Sequence, residues 1–234
     1  MEHHHRSKEY IMRSALFSDQ NQETQTNERW ALQSPKMLRT VLGEDMIATK
    51  GAMVAFQGQI EFNHEGSGSI GKLMKKMLTS EDAPMMRVSG QGEVFFARQA
   101  NNIFLMQLEG DSVSVASKNL LAMDASINWD IRRVQGAGAV SGGVFNMLLE
   151  GQGMVGICCE GEPLILDCSQ QPTFVDAQAA VCWSGNLTPQ VHNSMNMRSM
   201  LRGGSGEAFQ LAFHGPGFVV VQPSEGMPVP AQSR

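Results

Sequence analysis

Short apolar runs alternate with turns rich in glycine along most of the chain, a pattern typical of an all-β protein. The clearest motif is a short strand interrupted by two glycines with one residue between them. It occurs over 86–96 around Gly90 and Gly92, over 145–155 around Gly151 and Gly153, and over 209–221 around Gly215 and Gly217. Successive copies are 61 and 64 residues apart, which predicts a threefold internal repeat.

The glycine pairs have a structural interpretation. They lack the residues of a phosphate-binding loop. A glycine inside a strand instead marks a tight bend or bulge, where a positive φ or a close backbone approach excludes a Cβ atom. We therefore predict a structural role for all six glycines of the three pairs. We predict the same role for Gly51, which interrupts the apolar segment 47–56.

A second element lies upstream of each glycine pair. It covers 47–56, 121–129 and 174–183, and each copy has an apolar run, a break at small residues and a second run ending near an aromatic residue. This pattern predicts a strand, a corner and a strand. Together the two elements predict three β units, packed as one compact body. The predicted boundaries are 1–35 for a flexible arm, 36–101, 102–161 and 162–222 for the units, and 223–234 for a flexible tail.

Two of the units also contain a helical pattern. Apolar residues in 69–78 fall at helical spacing, and Ser69 is a suitable N-cap. A similar segment lies at 194–202, whereas the second unit has glycine-rich text at 135–143. The predicted fold is therefore all-β, with three tandem β-sandwich or double-stranded β-helix-like units and one or two short helices.

Composition narrows the function classes. The 18 Lys and Arg against 23 Asp and Glu leave a formal net charge of −5, which argues against a strongly basic nucleic-acid binder. No apolar run approaches the length of a membrane span, and the first thirty residues contain no apolar signal region. The four cysteines have no metal-ligand spacing, so we expect buried reduced thiols, no metal and no cofactor. These features favour a cytoplasmic protein.

We find no catalytic motif of the kinds that mark serine hydrolases, zinc peptidases or nucleoside triphosphatases. We therefore expect no enzyme activity and assign no catalytic residue. Basic residues do recur at similar distances before each glycine pair, and two interpretations remain open. They form a cationic rim for RNA or anionic lipid, or they are the solvated face of short helices. The residues are Lys72, Lys75, Lys76, Arg132, Arg133, Arg198 and Arg202.

Segments 51–54 and 71–81, together with the glycine-pair strands, resemble a known family. It comprises uncharacterised bacterial and archaeal proteins related to the yeast mitochondrial-biogenesis protein named for altered inheritance of mitochondria. The resemblance covers 36–222, nearly all of the predicted ordered chain. It implies a tandem of small β domains similar to the tryptophan RNA-binding attenuation protein, and a three-unit subunit that trimerises into a nine-unit ring. It implies no catalytic residues.

These observations favour a non-enzymatic scaffold or interaction protein with an unidentified protein partner. The terminal units lack the charged or proline-broken edges that protect a monomer from pairing. Contact of the third unit with the first unit of another copy would cover both edges, and we expect a homotrimer. The alternative is a binding module for an anionic or small ligand, such as RNA, a lipid headgroup or a metabolite, between β units. Contact with a membrane surface stays open.

The sequence makes a spectroscopic prediction. Far-ultraviolet circular dichroism of the purified protein should be dominated by β structure, because the two predicted helices together cover 69–78 and 194–202 only. A spectrum in which helix is the dominant class would contradict the fold prediction.

Overall fold

The computed structural model describes residues 13–65, 85–134, 145–192 and 210–224. Strands account for most of these residues, and their only helices are 3₁₀ turns of three residues at Ala15–Phe17, Asp19–Asn21 and Ser117–Asn119. The all-β prediction is confirmed. Both predicted helices, at 69–78 and 194–202, lie outside the described residues.

The strands are β1 (Trp30–Ser34), β2 (Met37–Leu42), β3 (Met46–Thr49), β4 (Met53–His64), β5 (Met85–Phe96), β6 (Asn102–Ala116), β7 (Leu120–Asp124), β8 (Asn128–Arg133), β9 (Phe145–Cys159), β10 (Leu164–Asp167), β11 (Thr173–Asp176), β12 (Ala180–Ser184), β13 (Gln190–His192), β14 (Gln210–Phe213) and β15 (Phe218–Val221).

The described strands form two antiparallel sheets. The larger has the order β1-β2-β5-β3-β7-β9-β6-β12-β15-β10, with β4 also paired to β5 and β8 also paired to β9. The smaller has the order β11-β14-β13. Strands that are neighbours in the larger sheet are therefore often distant in sequence, and long-range pairing sets the topology.

Two of the glycine pairs lie where a long strand exchanges one of its partners. In β5, residues 85–88 pair with β3, and residues 92–96 pair with β2. In β9, residues 145–150 pair with β8, and residues 155–157 pair with β7. The third pair separates β14, which pairs with β11 and β13, from β15, which pairs with β10 and β12. The first glycines have φ of 115°, 120° and 126°, and the second have φ of 144°, 149° and 150°.

The buried apolar side chains fall into three clusters. The first contains Trp30 and Phe96, and the third contains Trp183 and Phe213. The second is centred on β6, β7 and β9, but it also includes Ile47 from β3 and residues 181 and 182 from β12. The middle cluster is therefore completed by strands from both sides.

Buried polar contacts also connect distant parts of the chain. Asn119, on the turn after β6, donates from Nδ2 to the backbone oxygen of Cys158 at 2.8 Å and to Gln222 Oε1 at 3.2 Å. The backbone N–H of Gln222 donates to the oxygen of Ala179 at 3.0 Å. Because an unpaired buried amide is costly, these bonds hold the residues after β15 against the middle of the protein.

One segment differs from its prediction. The arm was expected to extend over 1–35, but residues 30–34 form β1, which pairs with β2. The reason is that Trp30 is buried and its indole has an acceptor, so the segment gains both apolar burial and a hydrogen bond. Residues 1–12 and 225–234 lie outside the described residues. The three unit boundaries stay a prediction.

The glycine geometry predicts a graded effect on stability. A Cβ atom at Gly92 would lie 2.0 Å from the backbone oxygen of Gln57, in addition to the strain of its φ. At Gly151 the φ is also positive, but no other atom would lie within 4 Å of the Cβ. We expect Gly92→Ala to lower the free energy of unfolding by about 2–4 kcal/mol and Gly151→Ala by about 1–2 kcal/mol.

Chemical denaturation of the two variants measures this difference. Gly43→Ala is the matched control, because Gly43 has no positive φ and its Cβ would have no neighbour within 4 Å. Its effect should stay within about 0.5 kcal/mol of zero. Equal stabilities for the Gly92 and Gly43 variants would show that the bends are not under steric constraint.

Candidate functional site

Only two residues of the predicted cationic rim lie in the described part of the chain. Arg132 and Arg133 are adjacent and exposed on β8. Successive side chains of a strand point to opposite faces, so these two guanidinium groups do not form one patch. Arg132 also has Asp130 Oδ2 3.5 Å from its Nε. Lys72, Lys75, Lys76, Arg198 and Arg202 lie outside the described residues, and the rim stays a prediction.

The most distinctive surface feature is a set of exposed apolar side chains on strands with one unpaired edge. In β4, which pairs only with β5 among the described strands, Val54 and Phe56 are 52% and 46% exposed. In β11, whose one partner in the described part of the chain is β14, Phe174 is 50% exposed. An exposed apolar edge strand favours pairing with another strand.

Both phenylalanine rings are held by neighbours rather than left loose. Phe56 makes an edge-to-face contact with Phe62, with ring centroids 5.4 Å apart. Phe174 lies against the His192 ring, with centroids 5.0 Å apart. These positions were missed by the sequence analysis, because the apolar pattern of a strand does not distinguish an open edge from a buried one.

Strand β10 supplies a second exposed apolar surface. Leu164 and Ile165 are 58% and 67% exposed, and β10 is the last strand of the larger sheet. Adjacent residues in a strand point to opposite faces, so the two side chains do not form a single patch.

Asp124, at the end of β7, is a buried carboxylate with three hydrogen-bonding or ion-pair partners among the described residues. It forms an ion pair with Arg29, accepts a bond from Trp30 Nε1 at 3.1 Å, and accepts one from the backbone N–H of Met154 at 2.7 Å. A buried charge needs such partners to offset desolvation. The carboxylate thus joins β1, β7 and β9, which is a structural arrangement.

The four cysteines are free and buried, as the sequence predicted. Burial raises the pKa of Cys158 to about 12, that of Cys159 to about 11 and that of Cys182 to about 12. In each case desolvation disfavours the thiolate, which is the reactive form. These thiols are therefore poor nucleophiles in the folded protein.

Neither a metal site nor a membrane span emerges from residues 13–65, 85–134, 145–192 and 210–224. Within these ranges, no three His, Cys, Asp or Glu side chains are grouped so that they could hold a metal ion. The same ranges contain no helix with the length and apolar character needed to cross a bilayer.

Comparison with known proteins decides the family. Residues 31–224 match the family described as mitochondrial biogenesis AIM24. The chain belongs to the AIM24 family. The resemblance found in the sequence is confirmed. The AIM24 match includes residues 31–34 of β1, a strand that the sequence analysis places in the arm.

A solved structure shares the fold of this AIM24 chain. It is the crystal structure of a protein from Streptococcus pyogenes, with a TM-score of 0.66 and 20% sequence identity. The alignment covers 83% of this chain and 92% of that one. At this identity the likeness concerns the fold alone. No curated protein matches the chain.

The buried thiols of this AIM24 protein make a chemical prediction. At pH 8 the folded protein should react with less than one equivalent of a thiol reagent such as iodoacetamide. Burial shields all four thiols, and raised pKa values also suppress the thiolates of Cys158, Cys159 and Cys182. In denaturant, where a thiol pKa returns to about 8.5, all four should react. Mass spectrometry after timed labelling measures both numbers.

Ser126→Cys supplies the control, because Ser126 is exposed. Its added thiol should react with the folded protein at pH 8. Rapid labelling of the native cysteines to the same extent as this added one would contradict the burial argument.

Proposed function

We propose that this protein is a non-enzymatic scaffold or interaction protein that assembles with copies of itself through the open edges of its sheets. The observation that supports this most directly is the exposure of Val54, Phe56 and Phe174 on strands that have a single pairing partner among residues 13–65, 85–134, 145–192 and 210–224. Exposed apolar edges are a liability to a monomer unless they are covered. In the assembled protein each of these strand edges would be paired with a strand of another copy.

The proposal includes three repeated β units within the chain. It is supported by the strand pairing around each glycine pair. In β5 and β9 one strand runs through the pair, and in the third unit β14 and β15 flank it. The φ values at equivalent glycines also agree to within 11°. A linear series of three similar units leaves an unmatched edge at each end, as in solenoid proteins.

We infer a ring of three chains, as the family resemblance implies. Head-to-tail contact between different surfaces produces a closed ring when the rotation between subunits permits it, and a filament otherwise. A ring would use both open edges of every subunit. Such an assembly would present a repeated surface to an unidentified protein partner.

The absence of enzyme activity is part of the proposal. It is supported by the roles of buried ionisable groups that the structure describes. Asp124 is paired with Arg29, and Arg39 forms a two-point ion pair with Glu93 across β2 and β5. Side chains held in ion pairs within the fold are poorly placed to take part in proton transfer.

The assembly is tested by size-exclusion chromatography with light scattering. At micromolar concentration we expect a mass near that of three chains, each of 25.5 kDa. The mass should stay constant over a tenfold dilution, because burying an apolar edge at each contact favours a stable complex. A mass near one chain would refute the proposal.

A ligand screen distinguishes the scaffold from a binding module. The screen measures the melting temperature with RNA, nucleotides, amino acids, metals and vesicles that contain anionic lipid. A scaffold should show no shift with any of these, since a ligand stabilises only a protein that it binds. A shift of several degrees with one ligand would favour the binding module instead.

A further inference from the structure

Two contacts between successive β units within the chain have the same geometry. The first pairs β3 with β7, where Ile47 lies opposite Met123. The second pairs β6 with β12, where Ser114 lies opposite Trp183. Both contacts are antiparallel, and both are formed by an early strand of one unit and a later strand of the next.

The glycine pairs provide a common reference for the early strands. In each unit, one residue of the early strand lies directly opposite the residue that is two positions before the first glycine of the pair. This early-strand residue is Met46 in β3 and Val113 in β6. In β11 it is Thr173, which lies opposite Phe213. Ile47, Ser114 and Phe174 are each one residue further on, so they are equivalent positions.

The same reference aligns the later strands. In each unit, one residue of the later strand lies directly opposite the residue that is two positions after the second glycine of the pair. This later-strand residue is Met123 in β7 and Trp183 in β12. In β4 it is Phe56, which lies opposite Val94. Met123, Trp183 and Phe56 are therefore equivalent positions.

The edges of β4 and β11 are equivalent to the edges that pair inside the chain, but neither has a second partner among the described strands. Applied to these two edges, the register shared by both internal contacts gives a specific pairing. We propose that β11 of one copy pairs antiparallel with the first half of β4 of a second copy, with Phe174 directly opposite Phe56. Thr173 then lies opposite Gln57, and Val175 lies opposite Ala55. The inference rests on the proposed assembly and names its contact surface and register.

The side chains at this contact are complementary. Phe56 and Phe174 are half-exposed in the single chain and would cover one another, since directly opposite residues have Cβ atoms about 4.5–5.5 Å apart. Neither β11 nor residues 53–57 of β4 contains a lysine or proline to discourage pairing. The contact would also join the small sheet of one copy to the large sheet of the next, as β3–β7 and β6–β12 join units within one chain.

Disulfide trapping tests the register. In the double variant Thr173→Cys, Gln57→Cys, the two cysteines should form a disulfide between chains, because opposite residues of paired strands have Cα atoms within bonding range. Mild oxidation should give covalent multimers on a non-reducing gel, and reduction should return single chains. The native cysteines are buried and contribute little background.

Thr173→Cys, Gln59→Cys is the matched control. Gln59 is exposed and two residues from Gln57 on the same strand, so its side chain points to the same face. This double variant should give at least tenfold less cross-linked multimer. Equal or greater cross-linking through residue 59, or none through residue 57, would overturn the register.

Single substitutions test the contact independently of cross-linking. Phe174→Ser should shift the light-scattering mass toward one chain. Ile165→Ser removes a side chain of similar exposure on β10 and should leave the mass unchanged. An unchanged mass for Phe174→Ser would overturn the proposed surface.

The outcomes distinguish this inference from the proposed self-assembly on which it rests. A trimer that fails the register test retains the assembly and refutes the β11–β4 contact. A wild-type protein that runs as a single chain refutes both. Trapping through residue 57 together with a trimer mass supports both.

Discussion

The bends at the glycine pairs are the constraint on which the rest of the sheet depends. In β5 and β9 the strand has one side partner before the pair and another after it. A side chain at Gly92 would meet the backbone of β4, and a side chain at Gly153 would meet Asp124 at 3.0 Å. Because β5 and β9 are bent, the two halves of each strand contribute side chains to different parts of the core.

A consequence is that neighbouring parts of the chain complete one another. The middle apolar cluster takes Ile47 from β3 and Val181 from β12. Asp124 connects β7 to β1 and β9, and Asn119 connects the middle of the chain to its last strands. Among the described strands, β4 pairs with β5 and β11 with β14, each along one edge, and on these two strands Phe56 and Phe174 are exposed. The proposed assembly would supply their second neighbours from other copies.

One part of the sequence alignment was wrong in an informative way. Segment 121–129 was aligned with 47–56 and 174–183, because all three read as strand, corner and strand. The structure shows that 121–129 contains β7 and β8, whereas 47–56 contains parts of β3 and β4, and 174–183 contains parts of β11 and β12. In the proposed repeat, β4 and β12 correspond to β7, because each pairs with the strand segment that follows a glycine pair. The segment is therefore displaced by one strand. The local pattern could not show this, since successive short apolar strands look alike.

The sequence by itself determined the all-β class, the positions of the bends and the burial of the cysteines. Each of these depends on local properties: glycine tolerates positive φ, and alternating apolar residues favour strands. Tertiary structure alone decided which strands are neighbours, that Trp30 belongs to the sheet, and which apolar side chains remain exposed. Strand pairing is a hydrogen-bonding arrangement between distant segments, and a short apolar strand can satisfy it in several registers. Only the packed structure shows which strands, β4 and β11 among them, have a single partner in the described part of the chain.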